Sequence, residues 1–234
     1  MSIVVGVSHR TARAVDPTVY PVEEKVGEDT LQRSIMELLR PLIERWFRHR
    51  GVQAFVGADQ FIYYRPHTPT ERVSPDIYVL PGVPQGTHIS VWKTWERGIV
   101  PSFGLEIVSR DWEKDYVEAP ERYGAAGIGE LVVFDPAPAR HPERVAWQHF
   151  RRVRNRPLTR VEVSRGDRIR VAALGCYLRA VGQGEALRLR VGTGARGDEL
   201  FPTGEEAERA EKEVALARVA ELEARLRKQR RRAR

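Results

Sequence analysis

The sequence predicts an α+β fold in which helices flank a mixed sheet, a strand-rich C-terminal part follows, and a long helix ends the chain. Three observations predict it. Apolar residues recur at helical spacing between residues 28 and 49. The order strand, strand, helix, strand over residues 76–134 is typical of a small mixed sheet with helices on its faces. Finally, a segment rich in Ala, Glu and Arg after residue 203 predicts a terminal helix.

The first helix is predicted at residues 28–49, after an extended lead-in over residues 1–27. Pro41 within it predicts a kink or a break, because proline lacks the amide proton of the helical hydrogen bond. Gly51 ends the helix. The apolar residues that recur at steps of three and four are Leu31, Ile35, Leu38, Leu39, Leu42, Ile43, Trp46 and Phe47.

Strands are predicted next. Residues 52–56 and 60–64 are expected to form a hairpin that turns at Gly57 and Ala58. Two further apolar strands follow, at residues 75–80 and 103–109. A helix is predicted near residues 117–126, and it ends at Gly127. The continuous apolar run at residues 131–134 predicts a buried strand.

Beyond Pro138 the pattern changes to short antiparallel strands, predicted near residues 144–151, 159–164, 176–181 and 186–191. Thr203 and Glu206 then form a capping-box pattern that begins a helix to the C terminus. The apolar stripe on this helix is short for a coiled coil. It favours packing on the body of the protein or pairing with a partner subunit. Its residues are Ala215, Val219, Leu222 and Leu226.

Composition and charge narrow the functional class. The single cysteine, Cys176, excludes an internal disulfide and a cysteine zinc cluster. No apolar run reaches the length of a signal peptide or a membrane span, so we expect a soluble cytoplasmic protein. The net charge of +7 is accounted for by residues 225–234, which contain seven bases and no acid. Such a tail either binds phosphate non-specifically or forms a solvated helix end.

Two acids stand out because they lie in strands that otherwise look buried. Asp76 begins one apolar strand, and Glu106 lies in the middle of the next. A buried carboxylate costs free energy unless it is paired or binds a cation. One interpretation is therefore a turn aspartate and a buried acid paired with arginine, which is abundant here. The other is that both acids, on neighbouring strands, hold one divalent metal ion.

Three sequence blocks carry a resemblance to a known family. They are residues 74–79 (Ser-Pro-Asp-Ile-Tyr-Val), residues 101–109 around Glu106, and residues 123–136, which run through a glycine-containing turn to Asp-Pro. In this order and spacing they resemble the Uma-two family of restriction endonucleases, within the PD-(D/E)XK nuclease superfamily. The similarity is strong over residues 28–136 and weaker towards the C terminus.

The resemblance implies a restriction-endonuclease-like domain at residues 28–200, with its nuclease core at about 28–136. Residues 201–234 would form a charged helix with a basic tail. It also implies Mg²⁺, with Mn²⁺ as a substitute, and DNA as the substrate, cleaved to a 5′-phosphate and a 3′-hydroxyl. Asp76, Glu106 and the backbone carbonyl of Ile107 would bind the metal ion.

The sequence departs from the family at the catalytic lysine. That lysine usually lies two residues beyond the acid, where this chain has Val108, or on the following helix, where it has Ala119. Lys114 and Lys93 are the replacement donors that the resemblance leaves open.

Two further polar residues match family positions. Gln32, on the first helix, could line the site. Asp115 would either cap the helix that follows it or sit near the metal ion, and we favour capping.

The leading hypothesis is a Mg²⁺-dependent endonuclease that hydrolyses DNA phosphodiester bonds. The alternative is a catalytically degenerate nuclease-fold protein that binds DNA or a protein partner. It is considered because Val108 and Ala119 occupy the two positions where the family usually has lysine. A homodimer, formed through the C-terminal helix, is a further expectation, since cutting two strands needs two sites or two visits.

Overall fold

The computed structural model describes residues 18–21, 30–109, 112–154 and 156–232. Its helices are α1 (Thr30–His49), α2 (Thr94–Arg97), α3 (Ala119–Ala125) and α4 (Gly204–Arg232). A π-helical turn at Lys114–Glu118 leads directly into α3, and 3₁₀ turns lie at Pro138–Arg140 and Gly184–Ala186. Within these ranges, no helix combines the length and the apolar character needed to span a bilayer.

The described strands form three sheets. The main sheet has six strands, in the spatial order β1 (Ala54–Gly57), β4 (Ile77–Pro81), β6 (Phe103–Ile107), β7 (Glu130–Phe134), β8 (Trp147–Arg152) and β9 (Leu158–Ser164). The second has the order β10 (Arg168–Val171), β11 (Cys176–Val181), β12 (Arg188–Thr193) and β13 (Glu199–Leu200). The third has the order β3 (Arg72–Val73), β2 (Ile62–Tyr63) and β5 (Trp92–Lys93). In the main sheet β6 and β7 are parallel and the other pairs antiparallel, so the predicted mixed sheet is confirmed.

Both faces of the main sheet are buried over most of β4, β6 and β7, whereas the edge strand β9 is largely exposed. On one face, α1 packs between this sheet and the four-stranded sheet, in a core that includes Leu39, Leu105 and Leu189. On the other face, α3 and the three-stranded sheet pack over a second core that includes Tyr123 and Ile62. The site described below lies where α1, the sheet and the π-helical turn meet.

Helix α1 follows the predicted apolar period but runs through Pro41 without a break. Pro41 is exposed, while Leu39 and Leu42 beside it are buried. The packing of this apolar face outweighs the loss of one backbone hydrogen bond. The predicted lead-in at residues 1–27 is described only at residues 18–21, and the predicted helix start at residue 28 lies outside the described residues.

The predicted hairpin of residues 52–64 is wrong. Strand β1 pairs with β4, whereas β2 pairs with β3 and β5 in a separate sheet. Gly57 is required by a close approach across the sheet, because a Cβ there would lie 2.3 Å from Cζ of Tyr78. The glycine that suggests a turn therefore leaves room for a buried tyrosine ring.

The C-terminal strands divide between two sheets. The buried strand predicted at residues 131–134 is confirmed as β7. Strands β8 and β9 extend the main sheet beyond residue 136, while β11 and β12 belong to the four-stranded sheet. Strand β10 is absent from the predictions, because only two of its four residues are apolar and the other two are arginines.

The two larger sheets are joined by the buried carboxylate of Glu130. Its Oε1 lies 2.6 Å from Nε2 of His149. The backbone N–H of Ala172 donates to the same oxygen at 3.0 Å, and that of Ala173 donates to Oε2 at 2.6 Å. Burial alone would raise the pKa of Glu130, but the hydrogen bonds from His149, Ala173 and Ala172 outweigh it and lower that pKa. Ionised Glu130 therefore stabilises the contact between β7 and the loop after β10.

We expect Glu130→Gln to lower the free energy of unfolding by about 1–3 kcal/mol at pH 7, because an amide cannot accept all of these bonds. A lowered folded-state pKa contributes stability above the unfolded pKa, and that contribution disappears as the pH falls through the folded pKa. The difference between wild type and variant should thus shrink below about pH 4. Urea unfolding at pH 7 and at acid pH measures it, and an equal difference at both pH values would contradict this account.

Helix α4 begins at the predicted capping box, which is confirmed. The backbone N–H of Glu206 donates to Oγ1 of Thr203 at 3.2 Å, and the N–H of Thr203 donates to Oε2 of Glu206 at 2.8 Å. Arg190 of β12 also contacts this carboxylate at 2.6 Å. From Glu208 to Arg231 the side chains are exposed, so this part of α4 does not pack on the described body.

Candidate metal centre

Asp76 and Glu106 lie opposite each other on adjacent strands. Ile77 pairs with Leu105 in the antiparallel register of β4 and β6, so the residue before Ile77 faces the residue after Leu105. Asp76 is 4% exposed and Glu106 is half-buried. The two predicted acids are therefore brought together at one end of the strand pair.

Two hydrogen bonds hold the carboxylate of Asp76. Its Oδ1 accepts from Nε2 of Gln32 at 2.6 Å, and its Oδ2 accepts from the backbone N–H of Ile107 at 2.5 Å. Gln32 belongs to the first turn of α1. Three elements distant in sequence thus orient this side chain, and the predicted residues Gln32, Asp76 and Ile107 are in direct contact.

Glu106 is held by Tyr123 of α3, whose hydroxyl donates to Oε1 of Glu106. The tyrosine ring lies over Gly104, where a Cβ would come within 3.2 Å of Cε1. Tyr123 belongs to the sequence block that carries the resemblance, but no role in the site was predicted for it. The available signal was Gly104, which lies two residues before Glu106 and therefore on the same face of β6.

The carboxyl groups of the site destabilise one another as anions. Burial raises the pKa of Asp76 to about 8, although the hydrogen bonds from Ile107 and Gln32 oppose this, and the charges of Asp59 and Asp115 raise it further. Burial also raises the pKa of Glu106 well above its ordinary value, as do the charges of Asp76 and Asp115. A bound cation would relieve this repulsion.

The π-helical turn carries two more of the predicted residues, Asp115 and Lys114. Oδ2 of Asp115 accepts hydrogen bonds from the N–H and the hydroxyl of Ser109, at 2.9 and 3.1 Å. These bonds connect the π-helical turn, which precedes α3, to the segment that directly follows β6. Lys114 is exposed, and its charge lowers the pKa of Glu106.

Neither Lys93 nor Val108 is placed to act as the catalytic lysine. The ammonium of Lys93 lies 3.4 Å from Glu96 and 4.0 Å from the centre of the Tyr20 ring. Val108 is buried among apolar side chains. Of the two candidate lysines, Lys114 is the one whose charge lowers the pKa of Glu106.

The donor set fits a hard divalent cation. Carboxylate oxygens and a backbone carbonyl are the ligands that Mg²⁺ and Mn²⁺ prefer. In the part of the chain that the structure describes, no three His, Cys, Asp or Glu side chains form a ready metal-binding group. An ion here would bind Asp76 and Glu106 and complete its shell with the carbonyl of Ile107 and water. Mg²⁺ commonly keeps several waters in this way.

We expect Tyr123→Phe to reduce metal affinity or activity by roughly 10- to 100-fold, the usual effect of removing a partner of a ligand side chain. The ring is retained, so the second core should be preserved. Isothermal titration with Mn²⁺ measures the affinity. Tyr177→Phe removes a hydroxyl that donates to the carbonyl of Ala195, in the turn between β12 and β13, and it should leave the affinity unchanged. Equal affinities in Tyr123→Phe and wild type would exclude this role.

No curated protein matches the chain. A solved structure similar to it is that of a "putative nuclease belonging to DUF820" from Anabaena variabilis, with 14% sequence identity and a TM-score of 0.46. The similarity covers 65% of this chain and 78% of that chain. Residues 22–180 match the Uma2 family, described as "Putative restriction endonuclease". Since this match spans more than half of the sequence, the chain belongs to the Uma2 family.

Proposed function

We propose that this protein is a Mg²⁺-dependent endonuclease that hydrolyses DNA phosphodiester bonds at the Asp76–Glu106 site. The observation that carries the proposal is the pair Asp76 and Glu106 on adjacent strands, where burial and the charge of Asp76 raise the pKa of Glu106, in a chain of the Uma2 family. Such a pair is costly for stability, and perturbed acids of this kind cluster at functional sites. Mn²⁺ is expected to substitute for Mg²⁺.

Each residue has a defined role in the proposed reaction. Asp76 and Glu106 hold the cation together with the carbonyl of Ile107. Gln32 fixes the carboxylate of Asp76, and Tyr123 fixes that of Glu106. When bound, the cation supplies Lewis acidity at the scissile phosphate and a lowered pKa for the attacking water.

Lys114 is the amine that we assign to orient the attacking water and to offset charge in the transition state. Its effect on the pKa of Glu106 supports this choice over Lys93, whose ammonium contacts Glu96 and Tyr20. Asp115 positions Lys114, because its bonds to Ser109 connect the π-helical turn to β6. Lys114→Ala should therefore impair cleavage more than Lys93→Ala, in parallel assays at equal enzyme concentration.

A second candidate function rests on Val108. The usual lysine position, directly after β6, is filled by a buried apolar side chain, which cannot act on water. The corresponding function is a protein that binds a metal ion and DNA without hydrolysis.

Cleavage of plasmid and oligonucleotide DNA with Mg²⁺ or Mn²⁺ tests the first function directly. We expect nicked or linear products with 5′-phosphate ends, and a metal-dependent rise in melting temperature. A rise in melting temperature together with DNA binding, but without products, would favour the second function. No effect of either metal on stability or cleavage would exclude the metal site.

A further inference from the structure

The exposed length of α4 is a feature that the proposed reaction does not use. The helix has 29 residues, which corresponds to a length of about 43 Å. Its start is held by the capping box and by Arg190. Beyond it, Val219, Leu222 and Leu226 are 53%, 45% and 54% exposed, a costly arrangement for three aliphatic side chains on one helix.

These side chains belong to one face with a distinct charge at each end. Starting from Glu211, steps of four, four, three, four and four residues lead to Arg230 along a single side of the helix. We call this side the α4 face. In order, it consists of Glu211, Ala215, Val219, Leu222, Leu226 and Arg230. Its apolar centre therefore lies between an acid and a base.

We infer that the α4 face binds the α4 face of a second copy of this chain, with the two helices antiparallel. A twofold axis between Val219 and Leu222 places Val219 of one copy beside Leu222 of the other, and Ala215 beside Leu226. The same axis places Glu211 beside Arg230 of the second copy. Such an interface uses the same surface twice, as a closed dimer requires.

The charge distribution along α4 selects the antiparallel orientation. Residues 204–213 contain five acids and two bases, whereas residues 224–232 contain six bases and no acid. Antiparallel helices bring the acidic part of each copy next to the basic part of the other. Parallel helices would instead align like charges at both ends, which opposes association.

A second copy accounts for more of α4 than a nucleic acid does. DNA would contact the basic end by charge alone and leave the apolar centre in water. The ion pairs within α4, from Glu221 to Arg218 and Arg225 at 2.6 and 2.7 Å, stabilise a single helix but do not bury that centre. Self-association covers the apolar residues of the α4 face and neutralises both of its ends.

Sedimentation equilibrium of the full chain, over a wide range of concentrations, tests the inference. We expect a monomer–dimer equilibrium that Leu222→Lys weakens by about tenfold or more. Leu216→Lys is the matched control, because Leu216 is equally aliphatic and exposed but lies outside the α4 face. Circular dichroism establishes that both variants keep their helix content. A wild-type chain that is monomeric throughout, or a dimer that tolerates Leu222→Lys, would overturn the inference.

Charge reversal tests the orientation. Glu211→Arg and Arg230→Glu should each weaken the dimer, because each creates a like-charge contact. The double variant should restore it, since the acid–base contact is then reversed but intact. Failure of the double variant to recover association, with both single variants weakened, would overturn the antiparallel arrangement. An increase in mass that requires added DNA would assign α4 to nucleic acid instead.

Discussion

Glu106→Gln is expected to abolish metal-dependent DNA cleavage, with a loss of at least about 100-fold in rate. Losses of this size follow when a group that stabilises the charge of a transition state is removed. The amide has nearly the same shape and can still pair with Tyr123, so packing around Gly104 should persist. Steady-state cleavage of plasmid DNA measures the rate. Glu121→Gln, an exposed position on α3, is the matched control and should cleave normally.

Stability separates loss of chemistry from loss of fold in this variant. Burial and the charges of Asp76 and Asp115 raise the pKa of Glu106, so its ionised form is unfavourable in the metal-free protein. Glu106→Gln should therefore melt at the same temperature as the metal-free wild type or higher, a typical trade-off at functional sites. It should also lose the stabilisation that Mn²⁺ confers. Retained cleavage by Glu106→Gln would refute the proposed role of this residue.

Arg144→Met is expected to cause the largest loss of stability, about 3–5 kcal/mol. Asp135 is 1% exposed, and Arg144 binds it through Nε–Oδ2 and Nη2–Oδ1 contacts of 2.6 and 2.7 Å. The methionine side chain fills similar space but leaves Asp135 buried without its cation. The hydroxyl of Tyr116 and the N–H of Ala137, both at 2.8 Å, cannot replace that charge.

Thermal unfolding should show this loss as a decrease in melting temperature on the order of 10 °C. Arg196→Met is the control, because Arg196 pairs with Asp198 at 3.1 Å on the surface, where an ion pair contributes about 0–1 kcal/mol. Equal melting temperatures for Arg144→Met and Arg196→Met would contradict the stabilising role of the buried Arg144–Asp135 pair. Because Tyr116 lies in the π-helical turn beside Asp115, Arg144→Met should also reduce cleavage.

Patterns of local origin could be predicted from the sequence. The apolar period of α1, the buried run of β7 and the capping box of α4 depend on residues within a few positions of one another. The acids Asp76 and Glu106 could also be selected as site candidates, because a carboxylate in an apolar strand is unusual wherever that strand is placed.

Contacts between distant residues required the tertiary structure. Gln32 binds Asp76 across 44 positions, and Tyr123 binds Glu106 across 17. The failed hairpin has the same origin, because β1 pairs with β4 rather than with its neighbour in sequence. A pattern of apolar residues specifies that a strand is buried, but its partner depends on how whole elements pack.

By itself, the sequence therefore determined the α+β class, most elements and the two acids, since periodicity and composition act locally. Only the tertiary structure decided which side chains orient those acids and that the apolar centre of α4 stays exposed among the described residues. The physical reason is that hydrogen bonding and burial at these positions depend on elements far apart in the chain, whose approach no local pattern encodes.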